Sequence, residues 1–219
     1  MTNALRLALC QINPTIGALE ANARLIAERA EEAARGGARV AIFPELALTA
    51  YGPRDLLDRP GFVDDVERAI DALGARLPQD LVCIVGAPTR THQPLGRSLH
   101  NSALVFEGGR LVRAIHKRLL PSYDVFDEDR WFEPAHEPGL FDVDGVRLGI
   151  TICEDIWNDV ELMRGRKYRV DPIDEAIQAG ARVLVNLSGS PFTLGKRFGR
   201  AAMLAAIAKH HALPVAMVN

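Results

Sequence analysis

Apolar and polar positions follow two rhythms along this chain. Short runs rich in β-branched and other apolar residues recur at 5–12 (LRLALCQI), 38–44 (ARVAIFP), 81–88 (LVCIVGAP), 102–109 (SALVFEGG), 110–117 (RLVRAIHK), 146–153 (VRLGITIC), 181–188 (ARVLVNLS) and 213–219 (LPVAMVN). Several are apolar at successive positions, the mark of strands buried on both faces. Between some of them apolar residues return every three or four positions instead. Leu19, Ala23, Ile26, Ala30 and Ala33 share one face of a helix predicted over 18–35, and Phe62, Val66, Ala69, Ile70, Leu73 and Leu77 share a face over 62–77. DPIDEAIQAG (171–180) and GRAAMLAAIAKHHA (199–212) read as two further helices. Strands alternating with helices predict an α/β domain whose sheets are covered by helices. The middle third differs: FEGGRLV and FDVDGVRLG set glycine-containing turns between strand-like runs, which predicts hairpins and therefore mixed sheets. With no repeat, linker or low-complexity stretch, residues 1–219 read as one domain. The chain stops at Asn219 directly after an apolar run, which reads as a domain cut from a longer chain, with an exposed sheet edge and reduced stability as the expected consequences.

Composition narrows the partners. The 26 Lys and Arg against 28 Asp and Glu leave a net charge of −2, with no block of like charge, so the concentrated basic face that nucleic acid demands is absent. No stretch approaches 18 uninterrupted apolar residues, and the start MTNALRLALCQINP lacks the layout of a signal peptide, which predicts a cytoplasmic protein without a membrane partner. Three widely separated cysteines, without a C-x-x-C pair, argue against a disulfide framework or zinc site.

Each thiol is then weighed singly. Cys10 and Cys83 sit inside apolar runs, where small thiols usually just pack. Cys153 ends the run LGITIC and is followed at once by Glu154, Asp155, Trp157 and Asn158, so it stands where a strand breaks into a polar turn. Catalytic groups of α/β sheets occupy such places, although a strand-ending cysteine can also be plain core. The six histidines offer no metal spacing, and His210 and His211 at the end of an amphipathic helix read as solvated. Glu45 follows a strand in IFPELALTAYG, where it reads as a site carboxylate or as a turn residue. Lys117 ends RLVRAIHK ahead of the acidic, aromatic loop LLPSYDVFDEDRWFEP, and as a lone strand-end lysine it would be a solvated gatekeeper. The three ends can converge if their strands neighbour one another in one sheet. A carboxylate base, an oxyanion-stabilising cation and a thiol would together suit acyl transfer through a thioester, and a thiol near Lys117 is expected to ionise more easily than one in an apolar core.

FPELALTAYG, HKRLLPSYDVFDEDRWF and GITICEDIWN resemble, in order, the three signature segments of the nitrilase, or carbon-nitrogen hydrolase, superfamily. YDVFDEDRWF and CEDIW are most similar to the glutaminase domains of glutamine-dependent NAD synthetases, and the resemblance covers residues 5–219. It implies a four-layer α-β-β-α sandwich that associates into a homo-oligomer, with a triad on Glu45, Lys117 and Cys153 hydrolysing the glutamine side-chain amide to glutamate and ammonia. Glu128 would position the lysine and substrate; Tyr51 and Tyr123 would line the glutamine pocket; Ser190 would hold the amino-acid end. The Glu154 N–H would join Lys117 in stabilising the oxyanion. Lys196 falls where some members carry arginine, and a point charge grips a carboxylate less specifically than a fork does.

No cofactor is implied for this domain. ATP and Mg would serve only a synthetase domain of the same longer chain, which would use the ammonia to amidate deamido-NAD to NAD and whose nucleotide loop this sequence lacks. GSPFTLGKR only imitates a phosphate-binding loop, since Gly189 and Gly195 are wrongly spaced and Arg197 stands where Ser or Thr is needed; no G-x-G-x-x-G follows a strand. Two other readings stay open: a carbon-nitrogen hydrolase for an aliphatic amide, carbamoyl compound or nitrile, and a catalytically silent scaffold module.

Overall fold

A computed structural model describes residues 4–158 and 168–219. Among the described residues, nine strands fall where the apolar runs and hairpins predict them: β1 (Leu7–Leu9), β2 (Val40–Ile42), β3 (Val82–Arg90), β4 (Leu99–Glu107), β5 (Arg110–His116), β6 (Leu140–Val143), β7 (Val146–Ile152), β8 (Val183–Leu187) and β9 (Val215–Val218). The helices are α1 (Leu19–Arg35), α2 (Phe62–Gly74), α3 (Pro172–Gln178) and α4 (Lys196–His210). α4 starts three residues before the sequence pattern does, because Gly195 takes the left-handed conformation (φ 81°) that turns the incoming loop into the helix.

The strands form two mixed sheets. One has the order β1-β2-β3-β4-β5, parallel from β1 to β3 and antiparallel from β3 to β5; the other runs β6-β7-β8-β9, with only β6 antiparallel. Period-two alternation explains the apolar runs. In β3, Val82 and Ile84 face the second sheet while Cys83 and Val85 face α1 and α2; in β8, Val185 and Leu187 face inward while Leu184 meets α3 and α4. Three apolar layers thus separate four layers of secondary structure, which is the α-β-β-α sandwich. Each fully buried Val or Ile contributes about 2 kcal/mol, so the sheet-to-sheet layer of Val40, Ile42, Ile84, Val105, Ile150 and Val185 is the main glue.

The corner after β2 lies directly on β3. A Cβ at Gly86 would come within 2.3 Å of Leu46 N and 2.4 Å of Pro44 O, backbone atoms on either side of Glu45. Gly86→Ala is therefore expected to cost about 1–3 kcal/mol of stability. A thermal melt checks it; a variant that melts with the wild type would refute the close approach.

Among the described residues no helix is long and apolar enough to cross a membrane.

Candidate active site

Glu45, Lys117 and Cys153 do converge, though not as neighbours in one sheet. Glu45 and Lys117 follow β2 and β5, which are separated by β3 and β4, and Cys153 follows β7 of the other sheet. Face-to-face stacking of the sheets, rather than strand adjacency, brings the ends together. All are buried: Lys117 is 0% exposed, Glu45 2%, Cys153 3% and Glu128 5%.

Lys117 is the hub. Its Nζ donates to Glu45 Oε1 at 2.6 Å and to Glu128 Oε1 and Oε2 at 2.9 and 2.7 Å. Burial alone would depress its pKa, but Glu128 and then Glu45 hold it well above that of an ordinary lysine. The solvated-gatekeeper reading of Lys117 fails on its burial. Glu128, in a single 3-10 turn (Glu128–Arg130), also accepts from Tyr51 Oη at 2.7 Å, and its own pKa is raised, chiefly by burial. Glu45 is fixed from three sides, accepting from Asn101 Nδ2 at 2.8 Å and from the Gly189 N–H at 2.9 Å besides Lys117.

Cys153 occupies a left-handed corner (φ 43°) between β7 and a 3-10 turn (Cys153–Ile156), a conformation that costs a non-glycine residue and recurs where a side chain must be re-aimed. Its thiol is not easily ionised. Burial, then Glu45, pushes its pKa up, as burial does for Cys10 (to about 11) and Cys83 (to about 12), while Lys117 and the Gly189 N–H pull it down. The easing of ionisation expected from a nearby lysine is therefore opposed: Lys117 is already engaged by two carboxylates, and desolvation is the largest influence on the thiol.

The following turn is equally constrained. Asp155 Oδ2 accepts from the Ile152 N–H (2.9 Å), and its Oδ1 accepts from the N–H groups of Arg118 (3.0 Å) and Leu119 (2.8 Å). One carboxylate thus ties the chain at Cys153 to the chain after Lys117. The Glu154 carboxylate accepts from Tyr123 Oη at 2.7 and 2.9 Å and from Tyr168 Oη at 3.1 Å.

A cavity of about 880 Å³ opens beside this cluster, walled toward it by Tyr51, Glu128 and Gly189 and outward by Phe126, Trp131 and Pro191. Ser190 is buried next to Gly189, its N–H donating to Asn219 Oδ1 at 2.9 Å. Lys196 is not brought to the cavity. As the first residue of α4 it lines a separate groove of about 610 Å³ with Trp157, Leu194 and Met203.

Asn101, Asp155, Tyr168 and Ser188 were not singled out by sequence. Asn101 lies just before the apolar run at 102–109, between two other polar residues, and Ser188 ends the run at 181–188, so neither stood out as more than a polar residue at a strand boundary.

Comparison with known proteins adds the family. The model of the carbon-nitrogen hydrolase family matches residues 6–171. The glutamine-dependent NAD(+) synthetase of Synechocystis sp. is 41% identical over 216 residues, covering 97% of this chain and 39% of that protein; the one from Xylella fastidiosa is 36% identical over 222 residues, covering 100% and 38%. The structure of glutamine-dependent NAD+ synthetase from Acinetobacter baumannii superposes with a TM-score of 0.82 at 31% identity, over 95% of this chain and 37% of that one. An amidase of the nitrilase superfamily from Nesterenkonia shares the fold, with a TM-score of 0.79 at 20% identity over 98% of this chain and 76% of that one. The chain thus spans less than two fifths of the synthetases it matches, yet the family model covers most of its own length, and the chain belongs to the carbon-nitrogen hydrolase family.

Proposed function

We propose that this chain is the glutaminase part of a glutamine-dependent NAD synthetase, and that Glu45, Lys117 and Cys153 hydrolyse the glutamine side-chain amide. The observation that carries the reading is the buried Lys117 ammonium held between Glu45 and Glu128 beside a thiol on a left-handed corner. A module kept only for packing has no use for a desolvated cation and two carboxylates, which are costly to bury.

The chemistry follows from the contacts. Glu45 takes the proton from Cys153 as sulfur attacks the amide carbon; the carbonyl electrons move to oxygen, where Lys117 Nζ and the Glu154 N–H stabilise them. Glu45 returns that proton to the departing nitrogen, releasing ammonia and leaving a glutamyl thioester. Water then gives a proton to Glu45 and attacks the thioester, and the Glu45 proton goes to the leaving thiolate, giving glutamate and the free enzyme. Glu128 and Tyr51 keep Lys117 in place, Tyr123 and Ser190 border the substrate, and Tyr123 also orients Glu154. The ammonia would amidate deamido-NAD in an ATP- and Mg-dependent synthetase domain, with homo-oligomerisation through the outer helices as in the resemblance. Lys196 faces another groove than the one Tyr51 and Glu128 line, which weakens its claim on the substrate carboxylate.

The test is ammonia and glutamate release from glutamine by the purified chain, beside asparagine and acetamide. Glutamine turnover that Cys153→Ala lowers by at least about 10⁴-fold, with little activity on the other amides, is expected. Preferred turnover of acetamide would replace this reading with a general amidase, and no turnover of any amide by the folded chain would refute it.

A further inference from the structure

Ser188 lies just past β8, and its main chain is pinned twice: its N–H donates to Val218 O at 2.8 Å, and its carbonyl accepts from the Glu45 N–H at 3.3 Å. Its side chain is fully buried, with Oγ 3.7 Å from Cys153 Sγ. The next residue completes the approach. Gly189 faces the sulfur with its N–H as well as Glu45 Oε2, and a Cβ there would press within 2.8 Å of the Tyr51 ring, so only glycine allows that close approach.

We propose that Ser188 is a further catalytic residue, one that donates its O–H to the Cys153 thiolate formed when Glu45 takes the thiol proton. The proposal rests on the reading of Cys153 as the nucleophile. On ionisation the S–H bond breaks, the proton moves to Glu45, the electron pair stays on sulfur, and the Ser188 hydroxyl turns its hydrogen toward that pair. A donor of this kind is needed there. The charged and titratable groups facing Cys153 are Glu45 after β2, Lys117 after β5, Glu128 in its 3-10 turn and Tyr123 in the intervening loop. The two carboxylates oppose a thiolate, and the Lys117 ammonium is shared between them. A hydroxyl stabilises the anion through a charge-assisted bond without adding a charge that would disturb the Glu45–Lys117–Glu128 cluster.

Alkylation of Cys153 by iodoacetamide, followed against pH by peptide mapping in the whole chain, tests this without any amide substrate. Failure of the glutaminase reading therefore leaves the result interpretable. Ser188→Ala is expected to slow labelling of Cys153 roughly tenfold at every pH between about 7 and 9, on the rising part of the profile, because reactivity there tracks the thiolate fraction. Ser188→Thr, which retains the hydroxyl, is expected to keep the wild-type rates. Labelling confined to Cys153, with Cys10 and Cys83 protected in their apolar core, marks the folded chain. Superimposable profiles for wild type and Ser188→Ala, or equal slowing in both variants, would each overturn the proposal.

Discussion

Replacing Lys117 by methionine is expected to abolish amide hydrolysis and to lower the melting temperature by roughly 6–20 °C, the equivalent of about 3–5 kcal/mol in a chain of this size. Methionine matches the length of the lysine stem, so the loss is not one of packing. What disappears is the only cation that the described contacts place between Glu45 and Glu128, at 2.6 Å from one and 2.7 Å from the other. Both carboxylates are buried, and Asn101, Gly189 and Tyr51 can only share out their hydrogen bonds, not cancel a charge. Breaking a buried pair by removing one partner is far more costly than never having built it. The double variant Lys117→Met, Glu128→Gln should then recover part of the stability, because one uncompensated charge is gone, while hydrolysis stays lost for want of the oxyanion partner proposed for Lys117. Calorimetry and ammonia release on the two proteins check this; a single variant melting within a degree or two of wild type would mean that the cluster is not charged as drawn.

That cluster also marks the boundary of what sequence could disclose. The strands were legible because both faces of β3, β4 and β8 are buried, so the period-two alternation disappears into continuous apolar runs bounded by turns. The hairpins at Gly108–Gly109 and Asp144–Gly145 were legible from glycines that adopt positive φ. That Glu45, Lys117 and Cys153 stand at strand ends was legible, yet one-dimensional order could not say that the thiol arrives from the second sheet. Which sheet a strand joins depends on pairing across long separations, such as Val40 with Val82 or Leu148 with Val183, and no local pattern encodes that. The same limit hid the supporting residues. Asn101 is the middle one of three consecutive polar residues, His100 to Ser102, in LHNSALVF, and its contact with Glu45 spans 56 residues; Asp155 reads as one acid in a polar turn until its three backbone partners are seen. Lys196 was placed by matching positions in the resemblance, but the left-handed Gly195 turns it into the start of α4 and away from the cavity.

Asp155→Ala is expected to lower stability by about 3 kcal/mol or more and amide turnover by at least about 100-fold, although Asp155 has no assigned contact with substrate. Its two oxygens satisfy the N–H groups of Ile152, Arg118 and Leu119 in a fully buried position, and alanine would leave all three donors without a partner. The damage to rate comes from geometry: Ile152 precedes the proposed nucleophile and Arg118 follows Lys117, so this carboxylate ties the thiol's corner to the ammonium's. An error near 1 Å in such an arrangement can cost about 100-fold. Asp155→Asn separates the contributions. Its Oδ1 can still accept from Arg118 and Leu119, but its Nδ2 would confront the Ile152 N–H, so a loss of intermediate size is expected in both stability and rate. Burial lifts the Asp155 carboxyl from 3.8 to about 6, against the pull of those N–H donors. Between about pH 4 and 6 the native chain therefore holds a proton that the unfolded chain has lost, and the stability this group carries declines as pH rises through about 6. Asparagine has no such titration, so the stability deficit of Asp155→Asn should narrow between pH 4 and pH 7. A deficit that widens over that interval would reverse the sign of the shift, and an alanine variant with wild-type turnover would mean that the corners at Lys117 and Cys153 are held by the sheets alone.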